Sequence, residues 1–243
     1  MRFRKILIII PAYNESASLS GLLKEIKSQH PHITTLVVND GSSDQTEDRV
    51  QHSGSRLVNH PYNLGIGGAV QTGFKVAADE DYDIAVQIDG DAQHDPAYLN
   101  ALLKPILTDK LDLVIGSRFL DTHHGFQSTF GRRIGIRFFA WLLSTLTETQ
   151  LTDPTSGFRA VNRKLIPHFA EYYPVDFPEP EAVKMAKRLG ARIGEVSVRM
   201  RERSGGISSI RYLKTIYYMI KVTLAILIDI LKKKPKRTIS HAR

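Results

Sequence analysis

Three carboxylates, Asp89, Asp91 and Asp95, fall within seven residues of the stretch Ile84-Ala-Val-Gln-Ile-Asp-Gly-Asp-Ala-Gln-His-Asp-Pro96. Like charges crowded in this way repel one another unless a cation neutralises them. Asp89-Gly-Asp91 sets two carboxylates within reach of one hard divalent ion. Mg²⁺ and Mn²⁺ prefer such oxygen ligands and are often shared with a substrate's phosphates. The residues leading in, Ile84, Ala85, Val86 and Ile88, form a short apolar run of the strand type. The competing reading is an acidic turn, with Asp as turn former and helix cap. What decides between them is whether other elements bring further chemistry to the same place.

The elements needed to position those carboxylates are legible as an alternation. Lys5 to Ile10 is a continuous apolar run, as expected of a central parallel strand. Pro11-Ala-Tyr-Asn-Glu-Ser16 follows as a turn, then Leu19, Leu22, Leu23 and Ile26 at helical spacing, with Ser16 or Ser18 as the expected cap. Ile33 to Val38 is a second strand, ending in the polar turn Asn39-Asp-Gly-Ser-Ser-Asp44. A helix, a short strand near Leu57 to Asn59 and a helix from Asn63-Leu-Gly-Ile-Gly-Gly-Ala69 to about Ala78 come next. After the acidic strand the pattern predicts a helix over 96–108 and a strand over 111–116. Such alternation implies an α/β fold with an open, mainly parallel sheet, whose ligands bind beyond the strands' carboxyl ends. The turns at Tyr13-Asn-Glu15, Asn39-Asp40 and Asp89-Gly-Asp91 then share one rim, which favours a site over a mere turn.

It is not the usual dinucleotide fold. The first βα turn has no glycine, and Gly65-Ile-Gly67-Gly-Ala-Val70 lacks the third glycine of GxGxxG. Beyond Gly116 the alternation weakens. Ser117-Arg-Phe119 carries a cation toward the acidic rim, and His123 and His124 follow in a loop. Phe130 to Leu146 reads as a helix whose Arg132, Arg133 and Arg137 either grip phosphate or face solvent. Thr152-Asp-Pro-Thr-Ser-Gly-Phe-Arg159 is a dense polar loop. Pro178-Glu-Pro-Glu181 opens another helix, Arg192 to Met200 alternates as a strand, and Ser204-Gly-Gly206 suits a closing loop.

The 243 residues can bury a sizeable core, and the absence of cysteine excludes disulfides and thiolate metal sites. The net charge of +8 is concentrated at the end. Residues 232–243 hold six Lys or Arg and no acid, while the first 231 hold 27 bases against 25 acids. That distribution argues against nucleic acid as partner and for a local anionic surface. Tyr212 to Leu231 reads as one helix, too interrupted by Lys221 and Asp229 to be a membrane span. With Lys232-Lys-Lys-Pro-Lys-Arg237 after it, it suggests an interfacial anchor on anionic lipid. The alternative is a helix packed on the core or on a second subunit, as in a homo-oligomer. The expected division is 1–207 as the catalytic domain, 208–231 as the amphipathic helix and 232–243 as the basic tail.

Taken together, Pro11-Ala-Tyr-Asn-Glu15, Asn39-Asp-Gly-Ser-Ser-Asp44, Asn63-Leu-Gly65, Asp89-Gly-Asp91 with Gln93, Gly116-Ser-Arg118 and Asp153-Pro-Thr-Ser-Gly-Phe-Arg159 resemble a family-2 inverting glycosyltransferase of the GT-A fold. Within that family the likeness is to the polyprenyl-phosphate sugar synthases. The resemblance implies that Pro11, Tyr13, Glu15 and Asp40, with Asn63, Gly65 and Gly90, hold the nucleotide-sugar. It implies that Asp89, Asp91 and Gln93 hold Mg²⁺ or Mn²⁺ against the diphosphate. Arg118 with Arg132 or Arg133 would face a phosphate of the donor or of a lipid acceptor, and Arg201 and Arg203 would close over the donor. Two positions depart from the family's pattern. Asn39 stands where Asp is commoner, and Pro178-Glu-Pro-Glu181 is unusual at its place. The QxxRW motif of processive synthases is absent, which argues for transfer of a single sugar.

The resemblance thus implies transfer from a UDP- or GDP-sugar to a polyprenyl phosphate by an enzyme lying peripherally at the inner, cytoplasmic face of the cell membrane. The alternative acceptor is a saccharide or lipid-linked saccharide, as in assembly of a cell-wall rhamnan or capsule. A phosphate acceptor is already anionic, whereas a sugar hydroxyl needs a general base, for which Asp153, Glu179 and Glu181 are the candidates. A silent nucleotide-sugar-binding scaffold is the remaining reading.

Overall fold

The computed structural model describes residues 4–121, 130–175, 178–201 and 239. The expected C-terminal helix, most of the basic tail, Arg203, the Ser204-Gly-Gly206 loop, His123 and His124 lie outside the described residues. Seven strands form one sheet: β1 (Ile6–Ala12), β2 (Thr34–Asn39), β3 (Arg56–Asn59), β4 (Ile84–Gln87), β5 (Leu113–Ser117), β6 (Arg159–Asn162) and β7 (Ile193–Ser197). Their order across the sheet is β3-β2-β1-β4-β6-β5-β7. β6 runs antiparallel to both its neighbours, and the other six strands share one direction. The sheet is therefore mainly parallel, as expected, and the carboxyl ends of six strands lie on one rim.

Period-two alternation sends successive side chains of each strand to opposite faces. Leu7 and Ile9 of β1 join Leu36 and Val38 of β2 in one core. Ile8 and Ile10 join Val37, Ile84 and Val86 in the other. The first face is covered by α3 (Gly65–Asp79), α5 (Phe130–Thr147), α6 (Ile166–Glu171) and α7 (Pro178–Arg188), through residues such as Phe74, Phe139, Phe169 and Val183. The second is covered by α1 (Ser16–Gln29), α2 (Thr46–Ser53) and α4 (Leu99–Leu107), the last entered through a 3₁₀ turn at Pro96–Tyr98. Both faces being buried is why the central strands read as unbroken apolar runs.

Two local expectations are corrected. The N-cap of α1 is Glu15, without a side-chain capping bond, and Ser16 is already inside the helix. The polar loop ending at Arg159 leads directly into β6, a strand the sequence pattern does not suggest. Among the described residues, no helix is long and apolar enough to cross a membrane. At the far end of the chain, the Ile239 amide donates to the Leu189 carbonyl (2.8 Å), and its side chain packs against the first core.

Candidate active site

The turns beyond β1, β2 and β4 are tied into one structure by their own polar groups. Asn14, at φ 55°, is clasped to the turn after β2: its amide donates to Ser42 Oγ (2.9 Å), and its Oδ1 accepts from the Ser43 amide (2.8 Å). The Glu15 amide donates to Thr46 Oγ1 (3.0 Å). Ser18 Oγ bridges Glu15 Oε2 (2.9 Å) and the Gly90 carbonyl (2.8 Å), joining the first turn to the acidic one. A side chain at Gly90 would crowd the Pro11 carbonyl at 3.1 Å, so this close approach depends on the glycine. Pro11 is buried, while Tyr13 is half exposed above the rim.

Asp40, expected to help hold the nucleotide-sugar, lies just past β2. It is buried, and both its oxygens hold the protein's own loop. Oδ1 accepts from the Leu64 amide (2.9 Å) and faces His60 Nδ1 (2.7 Å), and Oδ2 accepts from the Gly65 amide (2.9 Å). Asn63 Oδ1 also accepts from the Gly65 amide (3.0 Å), and Gly65 sits at φ +83° with open space where a Cβ would be. Asn39, in place of the commoner Asp, donates through Nδ2 to Asn59 Oδ1 (2.9 Å) on β3 and accepts from the Ser42 amide (3.2 Å). An amide can do both, and a carboxylate could not donate to Asn59.

Asp89 and Asp91 lie just past β4, both partly buried. The Asp89 amide donates to His94 Nδ1 (3.2 Å), so in the neutral ring the proton sits on Nε2. Burial pushes the His94 pKa down, which keeps the ring neutral, and it stacks on Phe158 at 5.2 Å between centroids. Gln87 Nε2 donates to Asp89 Oδ1 (3.3 Å), and Asp91 Oδ1 accepts from the Gln93 amide (3.0 Å). Gly157 closes over the first carboxylate: a Cβ there would stand 2.5 and 2.6 Å from its two oxygens. Only a residue without a side chain leaves Asp89 this room. Two carboxylates in a glycine-walled turn, with Gln93 just after them, offer the oxygen chemistry that a hard divalent ion takes. Among the described residues no group of three His, Cys, Asp or Glu could hold a metal, so the remaining ligands would come from substrate and solvent.

Asp153, a candidate base, and Arg118, a candidate phosphate ligand, are paired with each other. Asp153 is fully buried and takes a forked ion pair from Arg118, with Nη2 to Oδ1 at 2.6 Å, and its Oδ2 also accepts the Arg118 amide (3.2 Å). Arg118 is 5% exposed and also donates to Thr155 Oγ1 (3.1 Å). The guanidinium is turned inward. Glu195 of β7 holds the same loop by accepting from the Thr152 amide (2.8 Å) and the Asp153 amide (2.8 Å); burial pushes its own pKa up. The Arg201 guanidinium pairs with Glu25 (2.6 Å) and Asp95 (2.7 Å), while its amide donates to the Gln93 carbonyl (2.8 Å). Arg132 and Arg133 fall in the first turn of α5, and their side chains lie outside the described set.

Of the two α7 glutamates, Glu179 feels the charge of the acidic turn. Burial pushes its carboxyl up to about 7; the Arg159 guanidinium opposes the rise and the Asp89 charge adds to it. Glu181 is partly buried in the same first turn. Gln87, Gly157, His94 and Arg159 are the residues that sequence reasoning did not single out. Gly157 and Arg159 stand inside a quoted motif, and Gln87 was hidden as part of an apolar strand.

A family model described as glycosyl transferase family 2 matches residues 7–169. The chain is 31% identical over 217 residues to an undecaprenyl-phosphate mannosyltransferase of Micrococcus luteus, covering 84% of this chain and 86% of that one. It is 28% identical over 218 residues to a UDP-N-acetylglucosamine–dolichyl-phosphate N-acetylglucosaminyltransferase of Methanococcus voltae, covering 82% and 86%. Among solved structures, glucosyl-3-phosphoglycerate synthase from Mycobacterium tuberculosis, in complex with Mn²⁺, UDP and glucosyl-3-phosphoglycerate, superposes with a TM-score of 0.67. That match is 24% identical and covers 93% of this chain and 79% of that one, so the two share the GT-A fold.

Proposed function

Because this chain belongs to glycosyl transferase family 2 and is a glycosyltransferase, we propose that it moves one sugar, with inversion, from a UDP- or GDP-sugar to a polyprenyl phosphate. The observation that carries this reading is the glycine-walled Asp89–Asp91 turn at the carboxyl end of β4, where α/β sheets bind ligands. Asp89, Asp91 and Gln93 would hold Mg²⁺ or Mn²⁺, which when bound offsets the charge that grows on a departing diphosphate. Pro11, Tyr13, Glu15, Asn63, Gly65 and Gly90 would hold the donor, and Asp40 fixes the loop that carries two of them. The Arg118–Asp153 pair stiffens the wall beside His94 and the acidic turn. A polyprenyl phosphate acceptor places the enzyme at the inner face of the membrane, reached through the polybasic C-terminal segment. A homo-oligomer is compatible with this arrangement.

Glu179 favours a second reading, in which the acceptor is a saccharide hydroxyl. A carboxyl pushed up to about 7 beside Asp89 suits a general base. The deciding experiment offers undecaprenyl phosphate and a lipid-linked saccharide to the purified protein with UDP- and GDP-sugars, with Mn²⁺ and with EDTA. Metal-dependent labelling of the phosphate acceptor, undiminished in Glu179→Gln, supports the first reading. Labelling of the saccharide alone, abolished in Glu179→Gln, would replace it with the second.

A further inference from the structure

We infer that Arg159 is a positioning residue for this transfer, an inference that rests on the reading proposed above. Arg159 opens β6 at 1% exposure, paired in register with Gln87 of β4 on one side and Ile115 of β5 on the other. Its guanidinium donates from Nε and Nη2 to the Ser156 carbonyl (3.1 and 2.6 Å), from Nη2 to the Pro154 carbonyl (3.3 Å) and from Nη1 to the Glu179 carbonyl (3.0 Å). Every hydrogen-bond partner it has among the described residues is thus a main-chain oxygen. A guanidinium buried on neutral acceptors is costly, and here its charge lies in the field of Glu179.

What those carbonyls belong to gives the arrangement its meaning. Pro154 and Ser156 lead to Gly157, whose backbone walls Asp89. Glu179 lies in the first turn of α7, and the Asp89 charge helps to raise its carboxyl. One planar fork therefore ties the loop that walls the carboxylate expected to hold the metal and diphosphate to the start of α7. The guanidinium acts through these main-chain groups. Lysine supplies the charge but not the fork, because its donors radiate from a single point at the end of a flexible stem. An arginine that merely braced the core would affect stability and leave the chemistry of the folded protein unchanged.

The test is steady-state release of nucleoside diphosphate from UDP-N-acetylglucosamine and GDP-mannose, with Mn²⁺ and undecaprenyl phosphate. It compares the full chain with Arg159→Lys and Arg159→Gln, and melting temperatures are recorded alongside. The expected result is a folded Arg159→Lys whose kcat falls about 100-fold while its donor KM stays within about threefold, as a misplacement of about 1 Å produces. Arg159→Gln should fall at least as far. Wild-type turnover in Arg159→Lys would overturn the inference, as would a loss confined to KM or failure of both variants to fold. A wild-type protein silent with both donors would instead overturn the transfer reading, and this inference with it.

Discussion

Replacing Glu179 by Gln should reshape the pH dependence of stability. The Glu179 carboxyl is pushed up to about 7 from an ordinary 4.5, chiefly by burial. Because the folded form holds this proton more tightly than the unfolded chain, the resulting stabilisation is complete below about pH 4.5 and disappears as pH rises through about 7. A displacement of this size corresponds to about 3 kcal/mol. Glutamine mimics the protonated carboxyl and cannot titrate, so it should lack this slope. The measurement is urea unfolding of both proteins in EDTA at several pH values from about 4.5 to about 7.5, compared as the difference between them. Other groups titrate in both proteins and cancel. Wild type should lose about 3 kcal/mol relative to Glu179→Gln across the range. Added Mn²⁺ should flatten the trend, because a cation near Asp89 favours the ionised carboxyl. A difference constant to within about 0.5 kcal/mol in EDTA would mean that the group is ionised throughout and would refute the reasoning.

Four other outcomes are expected. Asp153→Asn leaves the Arg118 guanidinium buried without its counter-charge and should cost about 3–5 kcal/mol in urea unfolding. Gly157→Ala, whose Cβ would stand 2.5 Å from an Asp89 oxygen, should weaken Mn²⁺ binding by calorimetry at least about tenfold, the equivalent of about 1.4 kcal/mol. Gly21→Ala, where nothing lies within 4 Å, should leave Mn²⁺ affinity unchanged. Gly41→Ala, at φ +70° and 2.8 Å from the Tyr62 carbonyl carbon, should lower the melting temperature by several degrees, for a cost of about 1–3 kcal/mol.

β1, β2 and β4 are legible because each is largely buried on both faces and followed by an amphipathic helix. Local spacing carries all the necessary information for β1, β2 and β4. β6 is different. Arg159-Ala-Val-Asn162 is four residues long and exists as a strand because β4 and β5 leave a gap that accepts it antiparallel. That is a long-range fact without local signature. The acidic turn is legible for the opposite reason, since two carboxylates around a glycine are anomalous at the end of an apolar strand. The roles of Arg118 and Asp153 are not, because 35 residues separate them and nothing in either neighbourhood announces a buried pair. Glu179 and Glu181 are equivalent in the sequence. Only the packing of α7 on the sheet, with Arg159 gripping the Glu179 carbonyl, distinguishes them.

The bond from Ile239 to Leu189 ties a late stretch of the chain back to the end of α7, on the first core. A pull on the chain at residue 239 is therefore passed directly to that end of α7.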